Sequence, residues 1–235
     1  MNRTVFRLSA QAILGRRRGL VLALIPAALL VLALLVRALT DAELGVEATV
    51  GLGLSLALPL VALLASTAVL GPEIDDGSIV YLLSKPVSRH VIARSKFAAA
   101  WVATMALGAL PVGIVALVVD PSEPRRALAY GVGAAVAGTV YAALFIALAA
   151  LTRHAVVVGL LFTLLWEGLL GSVFAGVRWL SVAAWGREVA GELSPLVDDV
   201  AIGTAYAVIA ATVVTLASLW FTGDRLRSFT LRGDE

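Results

Sequence analysis

The sequence predicts an all-α integral membrane protein with six transmembrane helices. Sixty per cent of its 235 residues are apolar and only 14% are charged, whereas about 25% of the residues of a soluble domain are charged. The mean hydropathy is +0.98. The apolar residues form runs of roughly the 20 residues that a helix needs to cross a bilayer. The predicted spans are approximately residues 19–39, 49–71, 96–119, 127–151, 155–177 and 200–222.

A short amphipathic helix is predicted before the first span, as an N-terminal elbow along the headgroup layer. Residues 4–14 place Arg7 and Gln11 on one face, and the opposite face is made of Val5, Leu8, Ala12 and Ile13. The first span follows three arginines, as in a signal peptide. Its apolar core is longer than the usual 7–15 residues and no Ala-x-Ala site follows, so we interpret it as a retained anchor.

The distribution of Lys and Arg predicts which side of the membrane each loop occupies. With six spans and both termini in the cytoplasm, 13 of the 18 basic residues are cytoplasmic. If residues 155–177 did not cross, the division would be 12 to 6, so the charges favour six spans only slightly. Pro26, Pro59 and Pro111 fall inside spans, where we expect kinks.

Residues 178–199 are expected to form a membrane-associated segment on the extracytoplasmic side. Trp179 is typical of an interfacial anchor. On a helix through this region, Trp179, Val182, Ala183 and Leu193 lie on a face opposite the charged side chains Arg187, Glu188 and Glu192. A helix in, or dipping into, the outer leaflet is favoured over a free loop.

The sequence lacks the motifs of several enzyme classes. It contains no Gly-x4-Gly-Lys-Ser/Thr loop for nucleotide phosphates and no His-Glu-x2-His zinc motif. Gly51–Ser55 resembles a serine-protease turn only faintly, because no histidine is predicted inside the membrane to activate the serine. The excess of basic residues lies at span ends, where lipid headgroups explain it better than nucleic acid does. We therefore expect a non-catalytic chain that holds no metal.

Glu167 is the one carboxylate inside a predicted span. Counting from Ala155, it lies about 18 Å along the helix, in the outer half of the bilayer. A buried acid in a membrane is costly and therefore suggests contact with a proton or a substrate. The alternative is a structural carboxyl that is hydrogen-bonded to a neighbouring helix, or that marks the end of a short span. The sequence leaves both interpretations open.

The segment between the second and third spans, residues 72–96, combines charge with exposed apolar residues. Acids end the second span, cations precede the third, and Lys85-Pro86 separates two short helical stretches. Ser88 is a candidate N-cap for the helix that leads into the third span. A cytoplasmic loop explains the cations, but not the apolar run Ile79–Leu83 on the water side. Such a run favours contact with headgroups or with a groove on a partner protein.

These residues resemble the cytoplasmic signature of ABC-2 type permeases, the membrane subunits of ATP-binding-cassette exporters. The similar positions are Glu73, Gly77-Ser78, Tyr81-Leu82-Leu83-Ser84, Pro86-Val87-Ser88-Arg89 and Lys96. The order of elements along the whole chain is also similar: a basic amphipathic N-terminus, six spans, and an outer membrane-associated segment before the last span.

The resemblance implies a plasma-membrane permease that dimerises, most simply as a homodimer, and binds a separate ATPase, which holds ATP and magnesium. The coupling helix that docks on this ATPase would comprise Gly77, Ser78, Ile79, Tyr81, Leu82 and Leu83. The residues that support the loop would be Glu73, Asp76, Pro86, Arg89 and Lys96. The second and fifth spans would line the dimer interface, which would place Glu167 near the substrate path.

Two other functions remain at this point. One is an ion-coupled secondary transporter that uses Glu167 as its proton site. The other is an intramembrane enzyme, disfavoured because no nucleophile–base pair or metal set is visible. A path lined by Leu, Ala and Val would suit a lipid-like or drug-like substrate, but the sequence does not identify it, nor which ATPase is used, nor whether the dimer is homomeric or heteromeric.

Overall fold

The computed structural model describes residues 3–13, 15–75, 88–171, 174–198 and 200–228. Every regular element within these ranges is helical, which confirms the predicted class. The α-helices are α1 (Arg3–Ile13), α2 (Arg16–Leu39), α3 (Ala42–Leu52), α4 (Leu58–Asp75), α5 (Arg89–Thr104), α6 (Leu110–Val119), α7 (Pro124–Leu151), α8 (Ala155–Leu161), α9 (Val182–Leu193) and α10 (Thr204–Ser228). Three π-helical segments, Gly53–Ala57, Met105–Ala109 and Phe162–Leu170, and a 3₁₀ helix, Ala175–Leu180, complete the order.

Five helices in the described ranges are long and apolar enough to cross a membrane. They are Gly19–Leu39, Ala42–Leu70, Arg89–Val119, Pro124–Leu151 and Thr204–Leu226. The run predicted as a span at 155–177 is a shorter apolar helix, Ala155–Leu170. At 1.5 Å per residue, the 16 residues described as this helix would cover about 24 Å of the roughly 30 Å of hydrocarbon. A 3₁₀ helix then begins at Ala175.

Two of the π-helical segments in the described residues end two residues before a proline. Gly53–Ala57 lies just before Pro59, and Met105–Ala109 lies just before Pro111. Proline has no N–H to donate and its ring crowds the carbonyl one turn earlier, so a widened turn accommodates it within a continuous helix. The irregularities expected at these two prolines are therefore π segments, whereas Pro26 lies within an unbroken α-helix.

Helix α7 is the centre of the bundle. It packs against α4, α5, α6, α9 and α10. Its large side chains Tyr130, Tyr141, Phe145 and Ile146 are buried. Helices α2 and α10 are far less covered, and most of their apolar side chains face outward. In a bilayer these outward faces meet lipid or another protein, whereas most of α7 is covered by its neighbours.

One end of the bundle holds residues 37–47, 118–126, 178–198 and 200–203, and we call it the outer end because the sequence predicts it to be extracytoplasmic. Contacts between distant parts of the chain define it. Arg37 Nη1 donates to the Val118 carbonyl at 2.9 Å, and Arg125 Nε donates to the Leu193 carbonyl at 3.3 Å. The opposite end, which carries α1, the end of α4 and the start of α5, is called the inner end.

Helix α9 is packed into the outer end and does not lie on its surface. Its buried residues include Trp185, Gly186 and Ala190. A Cβ added to Gly186 would lie 2.6 Å from the carbonyl oxygen of Gly133 on α7, and a Cβ added to Gly133 would collide with the carbonyl of Gly186. Two glycines therefore allow the backbones of α7 and α9 to touch, as small residues do between membrane helices.

We expect Gly133→Ala to destabilise the fold by about 3 kcal/mol, because the added methyl group meets rigid backbone and overpacking costs roughly 1–3 kcal/mol. The midpoint of thermal unfolding of the purified protein in detergent measures this loss. Gly131→Ala on the same helix is the matched control. Its Cβ would make an ordinary 3.7 Å contact, so its midpoint should equal or exceed that of the wild type. Equal midpoints for both variants would refute the close contact.

The amphipathic N-terminal helix α1 lies against α4 and α5 at the inner end. Ile13 is 2% exposed and Ser9 is 4% exposed, while Leu8 is 57% exposed. The side that packs on the bundle is therefore the Phe6–Ser9–Ile13 side, and Leu8, placed by the sequence on the same apolar face as Ile13, points away from the protein. An outward leucine on such a helix suits contact with lipid.

Candidate functional site

Most of the predicted coupling segment lies outside the described residues. This applies to Gly77, Ser78, Ile79, Tyr81, Leu82 and Leu83, and to the supporting residues Asp76 and Pro86. Glu73 belongs to helix α4, but only its backbone is described. Arg89 and Lys96 are the two predicted supporting residues whose surroundings the structure describes. Arg89 is the first residue of α5, after Ser88 at the N-cap position, and it is partly buried.

Lys96 joins the two helices that flank the predicted coupling segment. It is 1% exposed, and its Nζ donates a 2.7 Å hydrogen bond to the carbonyl of Val69 on α4. Around it, Leu70 of α4 and Ile92 and Ala93 of α5 share a buried apolar cluster that also includes Leu226 of α10. The end of α4 and the start of α5 are thus held together and to the last helix.

Glu167 lies in the π-helical segment Phe162–Leu170 and is 4% exposed. Its Oε2 accepts hydrogen bonds from Ser181 Oγ at 2.6 Å and from the Ala183 amide at 3.4 Å. Its Oε1 accepts one from the Val182 amide at 2.8 Å. Ser181 Oγ in turn accepts from the Ala184 amide at 3.1 Å.

These contacts place Glu167 at the beginning of α9. The first N–H groups of a helix have no partner within the helix, and a carboxylate there is favoured by the helix dipole. Glu167 and Ser181 together supply acceptors for the amides of Val182, Ala183 and Ala184. Of the two interpretations that the sequence left open, the geometry favours the structural one, a carboxyl hydrogen-bonded to a neighbouring helix.

A second buried carboxylate, Glu188, anchors the other side of α9. It is 5% exposed, and its oxygens accept from the backbone amides of Val200 at 3.0 Å, Ile202 at 3.4 Å and Gly203 at 3.0 Å. This turn leads into α10 and is tight, since Ala201 and Gly203 both have positive φ angles, of 57° and 85°. The sequence placed Glu188 on the polar face of the outer helix. It is buried instead, and there its oxygens accept the hydrogen bonds of the amides of the turn.

A third polar cluster joins α3 to α7. Arg126 Nη2 lies 3.3 Å from Glu47 Oε1, and the Tyr130 hydroxyl donates to the same oxygen. Arg126 is 5% exposed and Tyr130 is fully buried. The sequence does not single out Glu47 or Arg126 among the charges of the predicted outer segments. Their positions at the starts of apolar runs were visible, but no local pattern shows that residues 79 positions apart meet.

A cavity of about 310 Å³ lies at the outer end beside these clusters. Its wall is formed by the junction of α3 with the first π segment, the π segment that carries Glu167, and α9 with the turn that follows it. The residues that matter for its chemistry are Gly51, Ser55, Glu167, Arg178, Arg187 and Asp198. Arg187 is half-buried, and its Nη2 lies 3.3 Å from the place that a Cβ on Gly51 would occupy. The absence of a side chain at Gly51 therefore leaves space for the Arg187 guanidinium.

The five long apolar helices and the buried polar clusters between them define a multi-pass α-helical membrane protein. A scan of known families matches residues 27–177 to the family described as "ABC-2 family transporter protein". Since the match covers more than half of the chain, the protein belongs to the ABC-2 transporter family and is a membrane permease component of an ABC transporter. No curated protein matches the sequence significantly.

Proposed function

We propose that this chain is the translocation subunit of an ABC exporter in the plasma membrane, driven by a separate ATPase that binds ATP and magnesium. The observation that carries the proposal is the family match over residues 27–177 together with five membrane-length helices. The chain forms a homodimer, in which the second and fifth spans meet and enclose the path of a lipid-like or drug-like substrate. It has no catalytic role of its own.

In the proposed topology the helix Ala155–Leu170 crosses the membrane as the fifth of six spans, with both termini in the cytoplasm. The short length of this helix is compatible with crossing when the polar outer end, including Glu167 and α9, reaches into the outer leaflet. Helix α1 acts as the elbow helix on the inner side. Its contacts with α4 and α5 support this role, because it touches the two helices that flank the coupling segment.

Energy enters, in this proposal, through the coupling segment of residues 72–96. Gly77–Leu83 bind the ATPase, and Lys96 passes the resulting movement to α4 through its bond to Val69. Both oxygens of Glu167 accept hydrogen bonds from the start of α9. We therefore favour an ATPase-driven permease over an ion-coupled transporter that would need this carboxyl as its proton site.

Co-purification tests the proposal. The full chain, extracted in mild detergent from its native membrane, should retain a protein that carries a phosphate-binding Gly-x4-Gly-Lys-Ser/Thr loop, at one ATPase per permease copy, and the complex should hydrolyse ATP. The mass of the complex should correspond to two permeases and two ATPases. A chain that purifies without any such ATPase under several extraction conditions would contradict the proposal.

A further inference from the structure

The outer cavity contains more cationic hydrogen-bond donors than the protein uses. Both arginines that line it, Arg178 and Arg187, present guanidinium groups, each with five N–H donors. Within the described ranges neither side chain makes a salt bridge or a side-chain hydrogen bond. Arg178 is exposed and Arg187 is half-buried.

Among the described residues, the two acids that line the same cavity form no ion pair with these cations. The carboxylate of Glu167 is engaged by Ser181 Oγ and by the amides of Val182 and Ala183. Asp198 is exposed to the surroundings of the protein. The two guanidinium groups therefore keep N–H donors that no described residue uses, and these donors are available to an anion in the cavity.

The cavity is open to the surroundings of the protein, because Gly168, Arg178 and Asp198 in its wall are exposed. Its volume of about 310 Å³ is at the lower end of the 300–1,000 Å³ typical of small-molecule sites. That is enough for a headgroup, but not for a large ligand in full.

We infer that this cavity binds a phosphate-type anion, held by Arg187 and Arg178. A guanidinium pairs with phosphate through two parallel hydrogen bonds, and a tetrahedral phosphate presents oxygens to two guanidinium groups at once. The anion is either the headgroup of an amphipathic lipid or free inorganic phosphate. The claim that this anion is part of a transported substrate rests on the proposed function. The claim that the cavity binds an anion does not.

Equilibrium binding to the purified full chain tests the site. Three radiolabelled probes distinguish the sources: phosphatidylglycerol in mixed micelles, a diacylglycerol with the same tails but no phosphate, and inorganic phosphate. The variants are Arg178→Gln, Arg187→Gln and their combination. Arg153→Gln is the control, since Arg153 is exposed in the turn between α7 and α8 and does not line the cavity.

We expect saturable binding of phosphatidylglycerol but not of diacylglycerol, at least about tenfold weaker in the double variant and unchanged in Arg153→Gln. Arg187→Lys, which keeps the charge but loses the paired hydrogen bonds, should bind with intermediate affinity. Saturable binding of inorganic phosphate alone, with the same ranking of affinities among the variants, would support the site with a soluble anion as its ligand.

Absence of saturable binding of both phosphate-bearing probes, or binding that the double variant retains, would overturn the inference. If the double variant does not fold, the single variants decide, and full binding in both of them would overturn it equally. The binding assay contains no ATPase, so its outcome is independent of the co-purification test. Anion binding together with a failed co-purification would refute the proposed function and leave the site standing. A successful co-purification without anion binding would refute the site alone.

Discussion

Replacement of residues 78–83 by a Gly-Ser linker of equal length is expected to reduce retention of the ATPase by at least about a hundredfold. The segment Ser78–Leu83 contains four aliphatic side chains and Tyr81, and each large apolar side chain buried at an interface contributes about 1.5–3 kcal/mol. Aromatic residues also dominate the binding energy of many interfaces. The amount of ATPase recovered per permease after affinity purification measures the effect.

The control is a Gly-Ser replacement of Thr152–His154, the turn between α7 and α8, which the topology also places on the cytoplasmic side. It should fold and retain the ATPase at the wild-type ratio. If the 78–83 replacement folds and still retains the ATPase, or if both replacements lose it equally, the coupling segment does not carry the docking surface.

Loss of the Glu167 carboxylate is expected to release the start of α9. In Glu167→Gln a single acceptor oxygen replaces two, while Ser181 Oγ and the amides of Val182 and Ala183 still need acceptors. A hydrogen bond to a charged group contributes about 1.5–3 kcal/mol, so local opening should become about tenfold or more easier. The rate of trypsin cleavage after the half-buried Arg187 in α9 measures local opening.

Ser181→Ala should also accelerate trypsin cleavage after Arg187, but by a smaller factor. It removes one of the hydrogen bonds to Glu167 and the acceptor for the Ala184 amide. Glu43→Gln is the control, since Glu43 is an exposed acid at the outer end. If Glu167→Gln leaves cleavage unchanged but abolishes transport, the carboxyl acts on a substrate or a proton, and its contacts with α9 are incidental.

The long spans were predictable because each is a run of mostly apolar residues that is long enough to cross a bilayer. Nothing beyond composition and length is needed to find Arg16–Leu39 or Pro124–Leu151. The run that begins at Ala155 is less clear-cut. The apolar helix that the structure describes in it is Ala155–Leu170, whereas the predicted span continues to residue 177. Composition therefore does not show how much of this run is one helix.

The polar contacts of the outer end were much less predictable. Glu167 was visible as a lone acid in an apolar run, but its partners follow a turn whose geometry the sequence does not reveal. Helical periodicity placed Glu188 on a polar face. The carboxylate is nevertheless buried, and hydrogen bonds from the backbone amides of the following turn compensate for its burial. The pairing of Glu47 with Arg126 depends on how two distant helices pack. The docking role of Ile79–Leu83 still rests on the family resemblance.

Site-specific photo-crosslinking tests the central claim most directly. A photoreactive amino acid is placed at Tyr81, and at Leu196 as the control, an exposed position at the outer end. After irradiation of native membranes, the crosslinked products are identified by mass spectrometry. We predict that position 81 crosslinks to an ABC ATPase and that position 196 does not. A folded chain that gives no ATPase crosslink at position 81, or gives one equally at position 196, would contradict the account.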